Sequence, residues 1–299
     1  MRVVVTGSNG LVGRRLVSQL VERGHEVLGL ARGARRVEGA FTYASVDLTD
    51  GPLLTETLGG FKAEAIINPA GMTDVDGCER DPVAAWNANV GVVATLARAA
   101  RTAGAHLVHV STDYVFDGED GPYAVDAKPN PRGTYALTKH AGEQTVKALL
   151  PAAQWSIART AVVSGWPSTG KNNFGYWLIS TLARGQPVPL FSDQWVSTSH
   201  ATNVAAMVAE LAEKRLPGLW HTCGAEVMDR VTFGRRVCER FGFDPALIKP
   251  SRMADVKLAS PRPAKSGLDV TKTAQTLDAR PWTVARALDE LFRERQEHP

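Results

Sequence analysis

The chain has 299 residues, 44% hydrophobic and 22% charged, with a formal net charge of +3, a balance ordinary for a globular protein with one large or two smaller domains. There is no Lys-rich tract, no basic run interleaved with aromatics and no apolar run of transmembrane length, which argues against nucleic-acid binding and membrane insertion. Cys78, Cys223 and Cys238 are far apart and form no CxxC pair, so neither a metal site nor a disulfide framework is expected, and a reducing compartment fits.

Residues 2–6 read as a first strand, and with it starting almost at Met1 no signal peptide is expected and the location reads as cytoplasmic. Residues 11–23 read as a helix with Leu16, Val17, Leu20 and Val21 on one face, closed by Gly24. Glu26 to Leu30 is a second strand and Phe41 to Val46 a short third. Asp47 to Asp50 then offers a helix cap. Ala65 to Asn68 is a fourth strand, Trp86 to Ala103 a long helix closed by Gly104, and His106 to Val110 a fifth strand. Tyr135 to Leu150 is a helix, and Ser156 to Arg159 begins a sixth strand. This alternation predicts an α/β fold, a Rossmann-like doubly wound parallel sheet with helices on both faces.

After about residue 164 the regularity fades. Trp166 to Asn173 reads as a polar loop. Helices are expected over Phe174 to Arg184, Thr202 to Lys214, Thr232 to Phe241 and Thr283 to Gln296, with a Pro-rich segment at Ser260 to Pro263. The predicted organisation is a dinucleotide-binding domain over 1–163 and a smaller, mostly helical substrate lobe over 164–299. A segment of about 186–214 is expected to return to the first domain.

Gly7-Ser8-Asn9-Gly10-Leu11-Val12-Gly13 directly follows the first strand. The first glycine permits a tight turn. The second lets backbone N–H groups approach a pyrophosphate, and the third lets the helix pack close to the strand. The helix then turns its free amides and dipole toward the phosphates. Gly7, Asn9, Gly10, Leu11, Val12 and Gly13 are therefore candidate cofactor contacts. An NAD-selective site carries an acid at the end of the second strand. Here Arg32, Arg35 and Arg36 follow instead, and a guanidinium suits a 2′-phosphate. NADPH is thus preferred over NAD, with Arg32 leading. Asp47 and Leu48 are candidates for the adenine side, although Asp47 suits a helix cap equally well. The small residues of Asn68-Pro69-Ala70-Gly71 let the backbone lie against a cofactor, or form a plain turn.

Ser111-Thr112-Asp113-Tyr114 ends the fifth strand. Tyr135 and Lys139 are spaced i,i+4 and share a helix face. A nearby ammonium favours a phenolate and would bring the Tyr135 pKa down toward the working range for proton transfer. Thr112 could hydrogen-bond a carbonyl being reduced. Thr112, Tyr135 and Lys139 are the candidate catalytic residues.

These segments resemble the extended short-chain dehydrogenase/reductases, and within them the dTDP-4-dehydrorhamnose reductase family. The matching runs are GSNGLVG at 7–13, INPAGMTDVDGCE at 67–79, STDYVFDG at 111–118, YALTKHAGE at 135–143, RTAVV at 159–163, NNF at 172–174, DQ at 193–194 and RPAKSGL at 262–268. The resemblance implies hydride transfer from NAD(P)H to a sugar C4 ketone. It implies that Asn68, Ala70 and Gly71 line the cofactor together with Tyr135 and Lys139, and that Asn89 steadies the core helix beside it. It implies that Asp113, Val115, Phe116, Arg159, Asn173, Gln194 and Arg262 contact a nucleotide-sugar substrate. No metal is implied, and a homodimer is compatible. The chain departs from the family after Asp193-Gln194, where Trp195-Val196-Ser197-Thr198 lacks the usual proline, and at Trp166, Tyr176 and Trp177. These positions bear on the sugar or nucleotide more than on the reduction. Related 4,6-dehydratases follow the threonine with Asp-Glu, whereas here Asp113-Tyr114 lacks the glutamate. A sugar-nucleotide epimerase or another oxidoreductase of the same fold, and a non-catalytic NADP-binding subunit like the β subunit of methionine adenosyltransferase, stand as alternatives.

Overall fold

A computed structural model describes residues 1–167 and 172–297. Six strands come first: β1 (Arg2–Thr6), β2 (Glu26–Ala31), β3 (Thr42–Ser45), β4 (Ala65–Asn68), β5 (His106–Thr112) and β6 (Trp155–Thr160). Between them run α1 (Leu11–Glu22), α2 (Gly51–Phe61), α3 (Val75–Arg80), α4 (Pro82–Trp86), α5 (Val92–Ala103) and α6 (Gly133–Leu149). There follow β7 (Val163–Ser164), α7 (Phe174–Ala183), β8 (Val188–Phe191), β9 (Trp195–Ser197), β10 (Ser199–His200), α8 (Ala201–Glu213) and β11 (Gly218–His221). The chain closes with β12 (Val227–Asp229), α9 (Arg230–Phe241), β13 (Ile248–Ser251), α10 (Thr271–Thr276) and α11 (Val284–Glu297).

Seven strands form one parallel sheet in the order β11-β6-β5-β4-β1-β2-β3. This is a Rossmann-like doubly wound fold. The strand order reverses between β1 and β4, which opens a ligand crevice at their carboxyl ends. Alternation along the strands divides the core. Val3, Val5, Ile67 and Val108 point to one face, under α1 and α8. Val4, Ile66, Leu107 and Ile157 point to the other, under α2, α5 and α6. A third cluster joins α7, α9 and α11, with Leu178, Phe233, Val237, Leu288 and Leu291 at its centre. Among the described residues no helix is long and apolar enough to cross a membrane.

Two features differ from the sequence reading. β11 is a four-residue strand opened by Gly218 at φ 96°, too short to show a period of two. The helix expected over Trp86 to Ala103 begins earlier, where Asp81 accepts the Ala84 amide and Pro82 occupies the first turn. It then passes through a π-helical turn at Asn87–Gly91 before α5. The polar loop expected over 166–173 includes residues 168–171, which lie outside the described residues.

Candidate active site

The glycine loop has the tight geometry that its spacing requires. Gly7 sits at φ 57°, and the Gly10 amide donates to its carbonyl at 2.8 Å. A Cβ on Gly13 would lie 2.1 Å from that same oxygen, and one on Gly7 would lie 3.2 Å from the Ala70 Cβ. Only glycine lets α1 start this close to β1. Leu11 and Val12 form its half-buried first turn.

Asn9 ties this loop to the one after β2. Its Nδ2 donates to the Arg32 and Ala34 carbonyls at 3.3 and 3.0 Å, and its Oδ1 accepts the Arg36 amide at 3.0 Å. Arg35 folds back onto the carbonyls of Val37, Gly39 and Phe41 and lies over the Phe41 ring. The exposed side chains of Arg32 and Arg36 make no hydrogen bond or ion pair among the described residues, so two of the three arginines are free to meet a phosphate. Asp47 Oδ1 accepts the amide and hydroxyl of Thr49. The helix cap of α2 is Asp50, which accepts the Leu53 amide. Leu48 packs against the core beneath.

The exit of β4 is packed from below. Asn68 is buried, with its Oδ1 accepting the Thr6 hydroxyl at 2.6 Å and its Nδ2 on His109 Nδ1 at 3.1 Å. Its side chain therefore serves the sheet, and only its backbone is left for a cofactor. A Cβ on Gly71 would lie 2.7 Å from Asn89 Oδ1 and 3.9 Å from Lys139 Nζ. Asn89, inside the π turn, accepts the Met72 amide and donates to the Met72 carbonyl and to Thr138. It thus links the β4 exit to α6, and π turns recur where a side chain must be re-aimed for function.

Thr112, at the end of β5, reaches the hydroxyl of Tyr135 on the first turn of α6, and Lys139 follows one turn later on the same helix. The entry of α6 is fixed by Glu79 on α3, whose carboxylate accepts the Thr134 amide and hydroxyl and the Ser260 hydroxyl. Tyr135 is buried, with its ring edge-on to Tyr114 at 5.6 Å. Burial pushes its phenol above the ordinary value of 10, with the Thr112 hydroxyl opposing. Lys139 donates to the Val110 carbonyl at 2.7 Å, and burial draws it down to about 8 against the pull of Glu143. The expected lowering of the phenol by Lys139 is therefore corrected. The ammonium is turned onto a backbone carbonyl, and desolvation of a would-be phenolate outweighs any attraction.

The expected substrate residues divide. Asp113 lies beside Thr112, accepting the Thr112 hydroxyl at 3.0 Å and the Ser266 hydroxyl at 2.6 Å, and burial raises it to about 6 against those hydrogen bonds. Gln194 is buried, donating to the Pro263 carbonyl and accepting Arg230 Nε at 3.0 Å. Asn173 caps α7 through the Tyr176 amide and donates to the Gly165 carbonyl. Arg262 pairs with Asp76 at 2.8 Å and donates to the Ser260 carbonyl. Three expectations need correction. Val115 and Phe116 are fully buried in a cluster with Ala161, Cys223 and Leu268, and Phe116 stacks on Tyr123 at 4.2 Å. Arg159 is fully buried, with both ends of its guanidinium on Glu143 at 2.9 and 2.8 Å. These three build the wall behind the site rather than its surface. Sequence reasoning missed Glu79, Arg230 and Ser266. Ser266 lay within the matched run RPAKSGL, but Arg230 belongs to no motif and could be found only from the fold.

The family model for the RmlD substrate binding domain matches residues 1–296. The chain is 37% identical over 274 residues to "Probable low-salt glycan biosynthesis reductase Agl14" of Haloferax volcanii, covering 91% of this chain and 90% of that protein. It is 34% identical over 275 residues to the dTDP-4-dehydrorhamnose reductase of Mycobacterium tuberculosis, covering 89% and 84%. The crystal structure of a dTDP-4-dehydrorhamnose reductase from Clostridium acetobutylicum superposes with a TM-score of 0.87 at 27% identity, over 99% of this chain and 100% of that one.

Proposed function

The chain belongs to the RmlD substrate binding domain family, and from that premise we propose that it is an NADPH-dependent reductase of the C4 ketone of a nucleotide-activated 6-deoxy-4-keto sugar. The observation that carries this reading is the pairing of Thr112 with Tyr135 at the carboxyl end of β5, with Lys139 one turn further along α6 facing the Gly71 exit of β4. The names of the two curated relatives support a reductase, and that of the mycobacterial one makes dTDP-4-dehydrorhamnose the first substrate to test.

The cradle fits a dinucleotide. The tight Gly7 turn and the missing side chain at Gly13 leave the first amides of α1 open, and the free Arg32 and Arg36 stand where a 2′-phosphate would be met. Bound NADPH supplies the hydride. Tyr135 supplies the proton to the ketone oxygen, and its raised pKa keeps that proton in place across the neutral range. Lys139, facing Gly71, is placed to hold the ribose. Thr112 orients the ketone once its hydroxyl turns from Asp113. Tyr114 takes the place where a dehydratase carries glutamate, and burial pushes it up to about 12, aided by the charge of Asp113, so it offers no base for water loss.

The protein mixed with NADPH and a 4-keto-6-deoxy sugar nucleotide should consume one cofactor per sugar reduced, followed at the NADPH absorbance. Turnover of a 4-hydroxy sugar nucleotide with no net loss of NADPH would make it an epimerase instead. For the cofactor, Arg32→Ala should weaken NADPH by about 1–3 kcal/mol, the value of a charge-assisted hydrogen bond, and leave NADH nearly unchanged. Fluorescence titration with both cofactors checks this, and equal losses would reject the assignment.

A further inference from the structure

A sugar nucleotide brings a diphosphate, whose charge is costly to desolvate unless a cation receives it. Of the two arginines expected at the substrate, Arg159 is committed to Glu143 and Arg262 to Asp76. Arg230 differs from both. It opens α9 directly after the capping residue Asp229. Its Nε donates to Gln194 Oε1 at 3.0 Å, and its guanidinium lies over the Phe174 ring, 4.3 Å from the centroid. These two contacts hold the plane of the fork. Its Nη1 is shut off from solvent and has no hydrogen-bond partner among the described residues. A guanidinium carries five N–H donors, and a buried donor without a partner asks for an explanation. The surroundings point to a ligand. Arg230 acts electrostatically on Asp113 and Tyr114, so it stands on the wall that also presents Thr112 and Tyr135. Both Asp113 oxygens are taken by the Thr112 and Ser266 hydroxyls, and no ion pair with Arg230 forms.

We propose that the unpaired arm of Arg230 receives the diphosphate of the sugar nucleotide, with Gln194 and Phe174 holding the guanidinium in place. The proposal rests on the sugar-nucleotide reading above and adds the residue that recognises the anion.

Calorimetric titration with dTDP, UDP, GDP and CDP, and with the matching nucleosides, tests it on the wild type, Arg230→Gln and Arg230→Lys. In Arg230→Gln the preferred nucleoside diphosphate should bind roughly 10- to 100-fold more weakly, while nucleoside and NADPH affinities stay unchanged. Arg230→Lys should recover part of the loss. In turnover, KM should rise more than kcat falls, because the contact is made in ground and transition state alike. Unchanged diphosphate affinity in Arg230→Gln, with a wild type active on the sugar nucleotide, overturns this proposal alone. Parallel losses of NADPH and nucleoside affinity make Arg230 a scaffold residue and also overturn it. A wild type that binds no nucleoside diphosphate and reduces no sugar nucleotide overturns both readings together.

Discussion

Tyr135→Phe should keep the fold and the NADPH affinity and lose about 10²- to 10⁴-fold in turnover, the usual worth of a positioned general acid. The expectation follows from how little else the hydroxyl does. Its partner is the Thr112 hydroxyl, itself a candidate catalytic group that Asp113 and the Tyr114 amide hold independently. The ring is what packs, against Tyr114 and in a small cluster with Cys78 and Ala85. Phenylalanine preserves that packing, so loss of rate should come without loss of stability. Single-turnover rates, an NADPH titration and a thermal melt on the same preparation separate these effects. Full activity in the variant would remove Tyr135 from the mechanism and raise the reading of the chain as a non-catalytic NADP-binding subunit.

What could be read from the sequence was what short-range geometry dictates. The spacing of Gly7, Gly10 and Gly13 is a statement about turn and close approach, and the backbone meets it. The i,i+4 spacing of Tyr135 and Lys139 puts both on one face of α6, and both are buried there. What could not be read depends on partners distant in the chain. Whether an arginine is free or paired is decided by what the fold brings to it. Arg35 is consumed by its own loop, Arg262 by Asp76 and Arg159 by Glu143, while Arg230 keeps one arm unpaired. The phenol illustrates the same limit. Proximity of a lysine was legible, but the Val110 carbonyl that accepts its hydrogen bond and the burial that dominates the phenol pKa were not. The π turn at Asn87–Gly91 is invisible for another reason, because one extra residue per turn leaves no periodic mark in so short a span.

Arg159→Met should destabilise the protein by about 3–5 kcal/mol, the cost of leaving one member of a buried ion pair without its partner. Arg159 on β6 and Glu143 on α6 are both fully buried and joined by two hydrogen bonds. Glu143 lies two helical turns beyond Tyr135 on the same helix, so the pair pins the helix that carries Tyr135 and Lys139 to the sheet. Burial alone would raise the Glu143 carboxyl. The Arg159 bonds outweigh it, helped by His140 and Ser111, and hold it well below the ordinary carboxylate range. The sign of the pH dependence follows. In the wild type this group contributes stability above the unfolded carboxylate pKa, near 4.3, and the contribution is lost as the pH falls through and below that value. In Arg159→Met desolvation dominates and the folded pKa rises instead, so stability should fall as the pH climbs above that same value. Denaturant midpoints should therefore fall for the wild type only as the pH drops below about 4.3 and stay level for this group above it, whereas those of Arg159→Met should fall as the pH climbs from about 4 to about 8. Replacing both partners, Arg159→Met with Glu143→Leu, should restore most of the lost stability, because an apolar pair of similar volume carries no desolvation cost. If Arg159 instead contacted the sugar nucleotide, the single variant would keep its denaturant midpoint and its pH slope and show only a raised KM, and the wall position assigned to it here would be wrong.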